Sequence, residues 1–67
     1  MTVDKLKQAY ISNRRKQIDA MEAGNDVLFW FYGARILRAI NALIECVDDE
    51  NDAACLVIEW EVELAAI

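Results

Sequence analysis

A chain of 67 residues with no proline and only two glycines contains almost nothing that stops a helix. Proline costs about 3 kcal/mol and glycine about 1 kcal/mol in a helix interior relative to alanine. The places where the chain can turn are therefore few. Gly24 is followed by Asn25 and Asp26, a run that reads as the C-terminal cap of one helix and the N-cap of the next. The second break falls at Asp48, Asp49, Glu50 and Asp52, around Asn51. Four acids this close repel along one continuous helix, but they suit a turn and the positive N-terminal end of a new helix. The expectation is one helical domain over 1–67, with helices over about 3–23, 26–47 and 50–66.

The third segment carries a competing signal. Residues 58–64 alternate apolar and acidic side chains without a break, the period of a half-buried strand. Against that, the segment opens with acids and Ala53-Ala54, closes with Ala65-Ala66, and spaces Glu59 and Glu63 four apart. A lone strand also has no ladder partner unless 27–32 or a second subunit supplies one. The expected fold is all-α, a helical hairpin plus a third helix, with two helices plus a C-terminal strand as the alternative.

Helical phase separates the first two segments. In the first, Val3, Leu6, Tyr10, Ile11, Ile18 and Met21 fall on an arc about 140° wide, interrupted by Lys7, Arg14 and Gln17. Long polar side chains of this kind sit at the rim of an interface, with their stems on apolar neighbours. In the second, Arg35, Arg38, Asn41 and Glu45 gather in a polar stripe about 120° wide. The opposite apolar arc, from Leu28 round to Trp30 and Leu37, spans about 200°, twice what one neighbouring helix covers. Gly33 lies in that arc and marks a possible close crossing.

So short a chain buries only about 60% of its unfolded surface. Its apolar fraction is nevertheless 57%, unchanged when glycine replaces tyrosine in the count, against a usual level of about 45–50%. Self-association as a dimeric helical bundle is the natural outlet. Trp30, Leu37, Ile40 and Ile44 are expected to pack on the first or third helix, or on the other subunit.

Several functional classes are excluded by what is missing. With no histidine, the commonest general base, the commonest metal ligand and every Ser-His or Cys-His pair are absent. Cys46 and Cys55 alone cannot complete a zinc site or build a secreted disulfide framework. Acidic surroundings disfavour their thiolates, so they read as small buried apolar residues in a reducing, cytoplasmic setting. No catalytic, cofactor-binding or metal-binding residue is expected. The N-terminus has no secretory pattern, and Arg35, Arg38, Asn41 and Glu45 argue against 27–47 as a membrane span.

Charge runs lengthwise. Residues 1–23 carry +2, residues 24–47 are neutral and residues 48–67 carry −7, giving the net −5. One consequence is attraction between the two ends. Another is an acidic surface of Asp48, Asp49, Glu50, Asp52, Glu59, Glu61 and Glu63 able to dock on a basic partner. Arg14, Arg15 and Lys16 point 100° apart on a helix within an acidic domain, which argues against direct nucleic-acid binding. The run Phe29, Trp30, Phe31 and Tyr32 cannot face one core. Aromatic and Arg side chains concentrate at the centres of protein interfaces, so Trp30, Phe31, Arg35, Leu37, Arg38, Ile40 and Ile44 are the interface candidates.

In its length, its helical character, its scarcity of cysteine, its opening Met1-Thr2-Val3-Asp4-Lys5-Leu6-Lys7 and its acidic, apolar end, the chain resembles small accessory proteins from the early region of temperate bacteriophages. The resemblance implies a protein that binds and modulates a host or phage factor in the host cytoplasm. The residues and the resemblance together point to a small non-enzymatic interaction or regulatory protein that self-associates and docks a helical surface on a protein partner. The alternative is an acidic decoy that inhibits a nucleic-acid-binding protein.

Overall fold

Each helix begins at a side chain suited to start it. The computed structural model describes residues 2–66. In it α1 (Val3–Glu22) is capped by Thr2, whose hydroxyl accepts from the Lys5 amide at 3.3 Å. Asn25 caps α2 (Asp26–Val47), accepting from the Leu28 amide at 3.1 Å. Asp49 caps α3 (Glu50–Ala65), accepting from the amides of Asn51 at 2.7 Å and Asp52 at 3.3 Å. These bonds satisfy amides that lack an intrahelical partner. The segment spanning 58–64 is helical, and no strand occurs among the described residues.

The two breaks work differently. At the first, Gly24 adopts φ +71° and the chain closes a Schellman motif, with the Asn25 amide donating to Ala20 O at 2.8 Å and the Gly24 amide to Met21 O at 3.1 Å. This left-handed position suits glycine because there is no Cβ to clash. At the second, Asp48 takes the left-handed conformation at φ 56°, a geometry that a short polar side chain tolerates at some cost.

Helices α1 and α2 form a long antiparallel hairpin, and α3 folds back beside its open end, lying more on α2 than on α1. The core gathers there. Leu6 and Tyr10 from α1, Ile36 and Leu43 from α2, and Ala53 and Trp60 from α3 form one buried cluster, with Leu43 fully enclosed at 0% exposure. Tyr10 and Trp60 meet at 5.6 Å between ring centroids, tilted by 49°. Towards the Gly24 turn the buried set thins to Ala20. The radius of gyration is 12.0 Å, against about 10.9 Å for a compact domain of this length, so the hairpin extends beyond the part that α3 covers.

Cys46 and Cys55 are both exposed, which corrects their reading as buried residues. Cys46 lies in the last turn of α2, next to the exposed acidic connection, and Cys55 lies on the side of α3 away from the buried Ala53 and Trp60.

Candidate protein-interaction site

The acidic residues separate into distinct roles. Asp49 is a cap and Asp48 a turn residue. Glu61 and Glu63 tie α3 to α1: Lys7 Nζ sits 2.8 Å from Glu63 Oε2, and Arg14 Nε donates to Glu61 Oε1 at 3.1 Å. The lengthwise charge gradient thus acts within the chain. Glu50, Asp52 and Glu59 are exposed.

Glu61 is also the acceptor for the buried Tyr10 hydroxyl. Burial, and then this bond to a carboxylate, push the Tyr10 hydroxyl up to about 12 by disfavouring the phenolate. Arg14 continues the network, donating through Nη1 to Gln17 Oε1 at 2.8 Å, and Gln17 Nε2 donates to Phe29 O at 3.4 Å. The polar residues that interrupt the apolar arc of α1 are therefore a hydrogen-bonded strap running from α3 across α1 to α2. Sequence reasoning placed Arg14 and Gln17 at a rim and missed the strap. Its signal was present in the phase they share with Tyr10, opposite an acid-rich third helix. Gly33 belongs to the same crossing, since a Cβ there would lie 3.1 Å from Gln17 Nε2.

Arg14, Arg15 and Lys16 diverge as expected. Arg14 pairs with Glu61, Arg15 is exposed, and Lys16 Nζ lies 5.8 Å from the centre of the Tyr32 ring.

The interface candidates split into two groups. Trp30 and Leu37 are 72% and 59% exposed and occupy one outward face of α2 with Val27 and Ala34, at spacings of three and four residues. Leu37 is one helical turn from Ile40, which with Ile44 is half-buried against the core. Ile40 and Ile44 also line a largely apolar groove of about 350 Å³ towards α3, formed with Ala53, Ala54, Val57 and Ile58 and with Glu50 among its lining residues. Ile58 and Val62 extend this face on α3 at 63% and 65% exposure. Within the chain, then, Ile40 and Ile44 pack as expected, while Trp30 and Leu37 remain open. The second group lies on the other flank of α2. Phe31 is exposed there, with the Arg35 guanidinium 5.7 Å from its ring centre, and Arg35 and Arg38 border a groove between α1 and α2.

Among the described residues no group of three or more metal-ligating side chains gathers. By length and composition alone, α2 is long and apolar enough to cross a membrane. No protein-family model, curated protein or solved structure matches the chain.

Proposed function

We propose that this protein is a small non-enzymatic interaction module, a homodimer built through the outward face of α2 and α3, which docks on a protein partner. The observation that carries the reading is the set of exposed apolar side chains Trp30 and Leu37 on α2 and Ile58 and Val62 on α3, with the groove at Ile40 and Ile44 between the two helices. The accessible surface is 4804 Å², about 500 Å² above the roughly 4300 Å² that a compact monomer of this mass presents. A standard protein interface buries about 800 Å² per partner, more than this excess, so covering the face removes it. A symmetric two-fold pairing is the commonest arrangement.

Two observations support this reading over its competitors. An acidic decoy needs a broad surface of free carboxylates, and here Asp49, Glu61 and Glu63 are engaged in the fold, which leaves Asp48, Glu50, Asp52 and Glu59 exposed. A membrane span needs an uncharged middle, whereas Arg35 and Arg38 lie near the centre of α2, each adding about 2.5–3.5 kcal/mol to insertion. The resemblance to phage accessory proteins fits a cytoplasmic regulator that acts by contact. Sedimentation equilibrium tests the dimer: the expected species has twice the 7.6 kDa chain mass, and Leu37→Glu reduces it to the monomer. A wild-type protein that stays at 7.6 kDa up to high micromolar concentration overturns the reading.

A further inference from the structure

On the flank of the hairpin away from α3 lies a second groove, of about 400 Å³. Its floor is Leu6 and Ala9 from α1 and Ala39 and Ala42 from α2. Leu6 and Ala39 are buried. Its rim carries Asn13, Arg35 and Arg38. The Asn13 amide is tied back to Ala9 O at 2.7 Å.

Charge distinguishes this groove from the apolar face. Elsewhere three cations are paired with the chain's own acids or rings, Lys7 with Glu63, Arg14 with Glu61 and Lys16 with Tyr32, while Lys5 and Arg15 are exposed. Among the described residues neither Arg35 nor Arg38 has a carboxylate within ion-pairing distance. The acids that hold α3 to α1 are on the opposite flank, so the fold leaves two guanidinium groups, one helical turn apart, beside an apolar floor. Guanidinium is weakly hydrated and matches a carboxylate with two parallel donors, which suits it to the edge of a protein contact. Stacking of Arg35 beside Phe31 limits the freedom that binding would otherwise remove.

We infer that this groove receives an acidic amphipathic helix of a partner protein, its apolar side on Ala9 and Ala42 above the buried Leu6 and Ala39 and its carboxylates, three or four residues apart, on Arg35 and Arg38. Small floor residues let a helix axis approach closely, and two turns of α1 against two turns of α2 match a helix of similar length. The inference rests on the reading of the chain as an interaction protein and specifies the chemistry of its partner. A second copy's α3 is acidic and apolar enough to compete for the position. That contact would join opposite flanks of two molecules, however, and build an open chain of subunits in place of a closed dimer.

The test is a display selection against the full-length protein, using helix-favouring peptides of about four turns, roughly 14 residues, randomised outside an apolar stripe. Selected peptides are expected to carry Asp or Glu at i and i+3 or i+4 beside that stripe. They should lose about tenfold or more in affinity for the Arg35→Gln/Arg38→Gln variant, while sedimentation shows that variant still dimeric. Sedimentation of the wild type separates this inference from the dimer, because losing the dimer leaves the peptide result intact. Four results overturn it: no enriched peptide, enrichment without acids, acidic peptides that bind the double variant equally, or peptides that bind only by dissociating the dimer. A labelled DNA duplex that binds the wild type and not the double variant also overturns it, in favour of a phosphate ligand.

Discussion

The enclosed and the open side of α2 have been given opposite solutions to the same problem. Both sides carry large apolar side chains in helical phase. On the enclosed side Ile36 and Leu43 are buried with Tyr10 and Trp60 because α3 returns to cover them. On the open side Trp30 and Leu37 point outward from the same helix, Leu37 next to the buried Ile36, because that side is turned away from both α1 and α3. The lesson is that apolar periodicity identifies surface that will be covered without identifying the molecule that covers it.

The largest effect separating the two sides is expected at Leu43. Leu43→Ala removes a side chain with no exposure and should cost about 3–5 kcal/mol, enough in a domain of this size to abolish the cooperative unfolding transition followed by circular dichroism. Next comes Leu37→Glu, on the open side of α2. It should dissociate the dimer while changing the stability of the isolated chain by under about 0.5 kcal/mol, as urea titrations at submicromolar concentration would show. Ile40, half-buried, should fall between the two. An equal loss of monomer stability at Leu43 and Leu37 would erase the distinction between the two sides.

A smaller effect belongs to the strap. Tyr10→Phe should cost about 1 kcal/mol near neutral pH. Because the folded hydroxyl titrates near 12 in place of 10.0, the folded state holds that proton more tightly than the unfolded one. The contribution is therefore complete below about pH 10 and disappears as pH rises through about 12. The stability gap between wild type and Tyr10→Phe should narrow over that window, and a gap independent of alkali would mean that the hydroxyl is neither buried nor bonded to Glu61 in solution. At the second turn, Asp48→Gly should stabilise by about 0.5–1 kcal/mol, since φ 56° suits glycine better than a residue with a Cβ. The smallest change is expected at Gly33. Gly33→Ala gains helix propensity but presses a Cβ towards Gln17 Nε2 at 3.1 Å. The movable end of that side chain can give way, so the thermal midpoint should shift by less than a few degrees.

Much of the fold was legible because it depends on local chemistry. Gly24 and Asn25 mark the first turn, the acids at 48–52 mark the second, and near-absence of breakers defines the helices between them. The alternation over 58–64 misleads in isolation because Glu59, Glu61 and Glu63 mimic the polar face of a strand, while the burial of Trp60 and the ion pairs of Glu61 and Glu63 are satisfied equally well on a helix. The candidate site was less legible. Trp30, Leu37, Phe31 and Arg38 could be chosen by residue type, but their division between two flanks of α2 depends on which side α3 occupies, a tertiary choice that phase alone does not make. The exposure of Cys46 and Cys55 has the same origin.

The contrast between enclosed and open sides is tested most directly by following both tryptophans at once. With 5-fluorotryptophan incorporated, Trp30 and Trp60 give separate ¹⁹F resonances, assigned by Trp30→Phe. As protein concentration rises from low micromolar to millimolar, the Trp30 resonance should shift and lose its sensitivity to replacement of H₂O by D₂O, while the buried Trp60 resonance stays fixed, and Leu37→Glu should leave Trp30 solvent-sensitive throughout. A Trp30 resonance that remains solvent-sensitive in the wild type at every concentration would contradict the assignment of this face to a second copy of the chain.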